Sequence, residues 1–159
     1  MFFDDPTAAF RNMGTALRPG GRVFFAAWAA PEQNPWFTIP AKAAMARLGK
    51  VEAGDPTAPG PMAFRDINRV VKILQSAGME DCSGVETKLF LHPPGTLEEV
   101  VDLAVSNGPA TRIMTALGGT ELDRAAIEET CRAELAPFDV EGQVRVPASV
   151  NLFRARIPS

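Results

Sequence analysis

Residues 1–28 constrain the fold more than any other part of this chain. Asp4 and Asp5 can cap a helix, and Pro6 fits a first turn, where no backbone N–H is needed. Apolar residues then recur at helical spacing and form one face, made of Ala9, Phe10, Met13, Ala16 and Leu17. Pro19-Gly20-Gly21 supplies a turn, and the unbroken apolar run at 23–28 predicts a strand covered on both faces. The stretch therefore predicts a helix, a turn and a buried strand of an α/β protein.

The rest of the chain continues this alternation of helical and extended patterns. Asp66 can cap a helix that Gly78 closes, and Pro109 is expected to break the helix before it. Residues 49–61 are rich in Gly and Pro and predict a surface loop. Hydrophobic periodicity predicts helices over 38–48, 67–77, 97–105, 113–117 and 121–135, and strands over 85–91, 143–146 and 149–157.

Length and composition fit one globular domain over residues 1–159. Hydrophobic residues make up 46% of the chain, which argues against disorder, and the formal charge of −3 gives no reason to expect a nucleic-acid or membrane partner. No signal peptide or spanning segment is evident, so the cytoplasm is the expected compartment. One histidine and scattered acids predict no metal site. Cys82 and Cys131 are interpreted as reduced structural thiols, with a disulfide or a reactive thiol as the alternative.

Four sequence segments carry a family resemblance. They are Asp-Asp-Pro-x-x-Ala-Phe-x-Asn at 4–12, Ala-Leu-Arg-Pro-Gly-Gly-Arg-Val at 16–23, Glu-Gln-Asn-Pro-Trp at 32–36, and Phe-Arg-Asp at 64–66 leading into a helix that ends at Ala-Gly. Together they resemble class I S-adenosylmethionine-dependent methyltransferases, in the branch related to ubiquinone and menaquinone biosynthesis. Residues 4–28 are similar to the segment that leaves the fourth strand, forms a helix and enters the fifth strand.

The resemblance implies a C-terminal half of a Rossmann-like methyltransferase sheet, with its fifth to seventh strands and with flanking and inserted helices. The family closes this sheet with an antiparallel seventh strand beside the fifth, which is expected at 150–157. Residues 37–62 would form an insertion and loop that cover the substrate, although a plain linker is the alternative. The implied activity is methyl transfer from S-adenosylmethionine to a small molecule.

The chain departs from the family at the cofactor site. Relatives bind S-adenosylmethionine with a glycine-rich loop after the first strand, which lets the backbone approach the ligand, and the sequence contains no such loop. Gly20-Gly21 and Gly118-Gly119 have the wrong spacing, and Met1 falls where the fourth strand should already be ending. We therefore expect no cofactor binding and doubtful activity for this chain alone.

Two other interpretations remain open: a non-catalytic dimerisation or binding module derived from the fold, and an unrelated small α/β domain. An exposed edge of the sheet would favour a homodimer, because proteins seldom leave such an edge bare.

The resemblance also implies which residues lie near the substrate. A pocket would be lined by Phe2, Phe3, Asp4, Trp28, Asn34 and Trp36, with no residue assigned to the cofactor. The aromatic residues could stack on a substrate, but packing in the core is the alternative. Asn34 could orient a substrate oxygen or form a turn before Pro35. His92 is the one candidate for catalysis, as a general base, with a surface loop position as the alternative.

Overall fold

The structure is a computed structural model that describes residues 1–52 and 54–159. Contacts within the chain group into two compact units. The sheet unit comprises Met1–Ala30, Gly54–Lys88 and Ser149–Ser159. The helical unit comprises Pro31–Ala53 and Leu89–Ala148. Each unit is described below by itself.

Helices and strands are mixed along the first half of the chain, and three helices follow one another in the second. The helices are α1 (Pro6–Thr15), α2 (Pro35–Leu48), α3 (Ile67–Ser76), α4 (Leu97–Ser106), α5 (Pro109–Leu117) and α6 (Glu121–Leu135). The strands are β1 (Arg22–Trp28), β2 (Glu80–Leu91), β3 (Asp139–Val140), β4 (Gln143–Val144) and β5 (Val146–Arg156). Short 3₁₀ turns cover Pro31–Gln33 and Ala136–Phe138, and β3 and β4 pair as a small antiparallel hairpin.

Three strands form the main sheet in the order β1-β5-β2. β5 is antiparallel to β1, in a register that pairs Phe25 with Phe153. On the other side of β5, Arg154 contacts Ser83 and Arg156 contacts Asp81. Because these contacts run in opposite directions along the two strands, β5 is antiparallel to β2 as well. β1 and β2 are therefore parallel, with the chain's last strand between them.

The expectation that β1 is covered on both faces is wrong. Its side chains alternate, so that Phe25 and Ala27 face the core while Phe24 is 67% exposed. Leu152, on the neighbouring strand, is exposed as well. An antiparallel sheet can leave one face to solvent, which a parallel sheet rarely does, and β1 pairs here with an antiparallel strand.

The core of the sheet unit is aromatic. The rings of Phe25 and Phe153 stack at 4.9 Å between centroids, and Phe10 of α1 lies 5.1 Å from Phe25. Asp5 caps α1 by accepting a hydrogen bond from the Ala8 backbone N–H at 2.9 Å, as the sequence predicted. The amphipathic helices α1 and α3 pack against each other and supply apolar side chains to this core.

The helical unit packs α2, α4, α5 and α6 around one apolar core. Capping boxes at Thr96 and Thr120 fix the starts of α4 and α6. The expectation for Pro109 needs correction. α4 already ends at Ser106, and Pro109 is the first residue of α5, where its missing N–H and fixed φ suit a helix start.

The sequence predicted one domain over residues 1–159, with an insertion at 37–62 that covers the substrate. Both parts stay predictions. In the structure, residues 37–52 belong to the helical unit and 54–62 to the sheet unit, while Ala53 lies outside the described residues. Within the loop predicted at 49–61, Asp55 accepts hydrogen bonds from the Thr57 backbone N–H and hydroxyl, both at 2.7 Å. These two bonds form a local turn, which fits the predicted loop.

Candidate functional site

The first predicted pocket residues lie in the sheet unit ahead of α1. Phe2, Phe3 and Asp4 are all exposed and precede the capping Asp5. The segment is tied down at its start, because the Met1 carbonyl accepts a hydrogen bond of 3.2 Å from the Gly60 N–H. Two exposed aromatic rings beside a fixed backbone can contact an apolar ligand.

Trp28 is the last residue of β1 and is half-buried. The strand pairing continues one residue further, where the Ala29 N–H donates to the Ser149 carbonyl at 3.1 Å. This bond holds the end of β1 in the sheet and fixes the backbone at Trp28. In an open α/β sheet, ligands bind beyond the carboxyl ends of the strands. Trp28 occupies such an end.

Asn34 and Trp36 belong to the helical unit. Asn34 is fully buried at the N-cap of α2, and its carbonyl accepts hydrogen bonds from the N–H groups of Phe37 and Thr38. Trp36 packs partly buried against the core of this unit. These positions agree with the structural alternatives, a helix-starting turn for Asn34 and core packing for Trp36.

His92 is exposed directly after β2 and lines a cavity of about 330 Å³. Pro93 and Pro94 also line it, together with Gly142 from the turn between β3 and β4 and Gln143 at the start of β4. Among the described residues that line this cavity, His92 is the one ionisable side chain. A general base is normally oriented by a second polar group, and Gln143 is the other polar side chain among the described residues that line this cavity. A catalytic role for His92 stays a prediction.

The predicted pocket residues thus divide between the units. Phe2, Phe3, Asp4 and Trp28 lie in the sheet unit, and Asn34, Trp36 and His92 lie in the helical unit. A pocket common to all of them stays a prediction.

A larger cavity in the sheet unit was not predicted. Its volume is about 570 Å³, and it is lined by Arg22, Phe24, Asp81, Cys82, Ser83, Arg154, Ala155 and Arg156. Arg156 pairs with Asp81 at 2.8 Å and with Glu80 at 2.9 Å. Arg156 lowers the pKa of the Asp81 carboxyl, first through its hydrogen bond and then through its charge.

The chemistry of this cavity is that of a charged surface. The Arg154 side chain donates to the Ser83 hydroxyl at 2.9 Å, so Ser83 is held by an arginine rather than by a base. Burial raises the pKa of the Cys82 thiol, and the Asp81 charge raises it further, which disfavours a reactive thiolate. The predicted strand began at Val85 and therefore missed Asp81, Cys82 and Ser83, the residues of β2 that line this cavity.

Neither diglycine forms a cofactor loop. Gly20-Gly21 joins α1 to β1, with φ of +73° at Gly20, and a Cβ added at Gly21 would lie 2.8 Å from the Arg18 carbonyl. Gly118 caps the end of α5 in the left-handed conformation. A cofactor loop must join a strand to a following helix, whereas these glycines follow helices. Neither diglycine therefore occupies the position of a glycine-rich cofactor loop, and the expectation that this chain alone binds no cofactor stays a prediction.

Other classes of site receive no support. Among residues 1–52 and 54–159, no group of three or more His, Cys, Asp or Glu side chains could hold a metal ion. In the same part of the chain, no helix is long and apolar enough to cross a membrane. Cys82 and Cys131 are both free, which agrees with the interpretation of reduced thiols.

Comparison with solved structures gives a distant structural likeness. No protein-family model and no curated protein matches the chain. One solved structure that matches is a Bacillus halodurans protein with a provisional methyltransferase description, at 15% identity and a TM-score of 0.42. The match covers 99% of this chain and 60% of the other, so this chain spans about three fifths of that protein's length.

Proposed function

We propose that this chain is the C-terminal part of a class I S-adenosylmethionine-dependent methyltransferase that acts on a small molecule. The observation that carries the proposal is the position of β5, antiparallel between the parallel strands β1 and β2. The resemblance implies a last strand of this kind beside the strand that follows Pro-Gly-Gly. Four separate sequence segments and one unusual strand arrangement therefore point in the same direction.

The substrate-facing role fits the sheet-unit residues best. Phe2, Phe3 and Trp28 keep part of their aromatic surface accessible, which a pocket role requires. Asn34 and Trp36 would act by shaping the start of α2 rather than by touching the substrate, because the first is fully buried and the second packs in a core. Methyl transfer needs the nucleophile in line with the methyl group, so positioning by such residues would supply much of the acceleration.

We propose that residues encoded ahead of Met1 supply the cofactor site. The support is the absence of a glycine-rich loop in the sequence and the helix-following position of both diglycines. The chain alone would then neither bind S-adenosylmethionine nor turn over. The free cysteines fit a reducing compartment such as the cytoplasm.

The test compares two proteins by calorimetric titration with S-adenosylmethionine. One is residues 1–159, and the other adds the sequence encoded in frame upstream of Met1. We expect a glycine-rich loop in the added sequence, saturable binding by the longer protein and no binding heat from the shorter one. An upstream sequence without such a loop, and a longer protein that does not bind the cofactor, would refute the proposal.

A specific observation favours a second function, a non-catalytic assembly module. β1 lies at the end of the three-stranded sheet and carries an exposed phenylalanine. Stable self-association without cofactor binding, in both the short and the longer protein, would select this candidate.

A further inference from the structure

We propose that the groove between α1 and α3 binds a small ligand that carries a phosphate or diphosphate group. The groove belongs to the sheet unit and has a volume of about 340 Å³, near the lower end of the range for small-molecule sites. Binding there needs neither S-adenosylmethionine nor methyl transfer, so it can be tested independently of the proposed function.

The wall of the groove is mostly polar. One face of α3 supplies most of it, because side chains three and four residues apart lie side by side on a helix. The first turn of α1 supplies the rest. The lining residues are Thr7 of α1, the α3 cap Asp66, and Asn68, Arg69, Lys72, Ile73 and Ser76 of α3. Within this described set Ile73 is the one apolar side chain, which disfavours an apolar ligand.

Two arginines are held at the groove by backbone carbonyls. Arg69 is half-buried and donates to the Ala63 carbonyl at 2.8 Å. Arg11 reaches from α1 to one end of the groove, where it donates to the Ser76 carbonyl at 3.4 Å. A carbonyl occupies one N–H donor of a guanidinium and leaves its charge unneutralised, so each arginine keeps donors for an anion. Because these bonds restrict both side chains, less side-chain entropy is lost when a ligand binds.

The groove carries more positive than negative charge. In the part of the chain that the structure describes, no ion pair of 4.0 Å or less involves Arg11, Arg69 or Lys72. Asp66 is the acid in the lining, and its carboxylate accepts the Arg69 backbone N–H at 3.1 Å as the cap of α3. Asp55 interacts with Arg69 more weakly, since local hydrogen bonds are the main cause of the lowered pKa of its carboxyl and the Arg69 charge is the smallest. Three cations against one lining carboxylate therefore favour an anion.

Phosphate is the anion that fits this set of donors. A guanidinium binds two phosphate oxygens in a planar fork, and a lysine adds a point charge. The Thr7 hydroxyl and the Asn68 amide can donate to further oxygens. The small volume suits one phosphate ester or diphosphate, and the formal charge of −3 gives no general attraction to a nucleic acid. Because salt screens an open site of this kind, we expect a dissociation constant of about 1 mM.

The test is an NMR titration with inorganic diphosphate and, separately, with phenyl phosphate, at constant ionic strength. The amide signals of Asn68 and Ser76 should shift along one saturable curve, and the tighter probe shows whether the free anion or an ester is preferred. The double variant Arg11→Gln/Lys72→Gln should raise the dissociation constant at least about tenfold. Both residues are exposed, so the variant should remain folded.

Lys50→Gln/Arg112→Gln is the matched control, because it removes the same net charge from exposed positions of the helical unit. It should leave binding unchanged. Shifts that do not saturate with either probe, or equal weakening by the two double variants, would overturn the proposal.

The same titration on the longer protein, which adds the sequence encoded upstream of Met1, should give the same dissociation constant, because α1 and α3 form both walls of the groove. Binding by residues 1–159 that disappears in the longer protein would show that other residues occupy the groove, and it would also refute the proposal. A longer protein that binds phosphate but not S-adenosylmethionine would contradict the proposed function alone.

Discussion

Replacing Phe153 with alanine should destabilise the sheet unit more than any other single truncation on β5. Phe153 is 2% exposed, and its ring stacks on Phe25 at 4.9 Å. A Cβ added at Gly84 would lie 2.7 Å from this ring, so the ring already fills the space next to β2. Buried Phe→Ala changes cost about 3–5 kcal/mol, and the aromatic pair accounts for about 0.5–1.5 kcal/mol of such a loss. Because Gly84 has no side chain that could move into the cavity, we expect the upper half of that range.

Leu152→Ala is the matched control for this prediction. Leu152 is the neighbouring residue on the opposite face and is 44% exposed, so its truncation should cost about 1 kcal/mol. Urea unfolding followed by tryptophan fluorescence measures both free energies of unfolding. Trp36→Phe serves as the common background, since it leaves Trp28 as the probe within the sheet unit. Equal losses for Phe153→Ala and Leu152→Ala would refute the assignment of the buried face.

Two further predictions concern titratable groups in the chain. Hydrogen bonds from the Thr120 side chain and backbone, and then Arg47, lower the pKa of the Asp123 carboxyl to about 2. The stability from this group is therefore present above its ordinary pKa of 3.8 and is lost as the pH falls toward 2, and an NMR titration of Asp123 with a midpoint near 3.8 would contradict it. Burial raises the pKa of the Cys131 thiol to about 11, so a disulfide reagent should modify Cys82 well before Cys131 in the folded chain. Equal rates in the two single-cysteine variants would show that Cys131 is accessible.

Local signals predicted the helices well. α6 has the predicted bounds, because the apolar spacing and the Thr120 cap lie within the helix itself. α3 likewise follows its Asp66 cap, whose side chain accepts from the Arg69 N–H at 3.1 Å. Pro109 was misinterpreted because proline both ends and begins helices, and the choice depends on how the preceding loop turns.

The errors in the predicted strands arise because strand pairing joins residues that are far apart in the sequence. The first part of β2 was missed because Glu80 and Asp81 look like loop residues until Arg156, far along the chain, pairs with them. The exposed face of β1 was missed because a continuous apolar run carries no period that distinguishes one covered face from two. The hairpin of β3 and β4 depends on a turn with positive φ at Glu141, an unusual conformation for a residue other than glycine.

Tertiary packing determines which of the predicted site residues are exposed, and the sequence does not show that packing. A site residue can be predicted from its place after a strand, and Trp28 does occupy the end of β1. Exposure depends on tertiary packing, which decided that Asn34 is buried and His92 is not. The cavity beside Arg154 could not be predicted, because its walls come from three strands that are distant in the sequence.

The position of β5 between β1 and β2 carries the proposed function, and NMR measures it directly. In the observed register the Phe24–Arg154 pair is not hydrogen-bonded, so its two Hα atoms lie close together. We predict a nuclear Overhauser contact between these two Hα atoms and a second set of contacts between Arg154 and Ser83. Direct contacts between β1 and β2, with β5 at an edge, would contradict the strand order and remove the basis for the methyltransferase proposal.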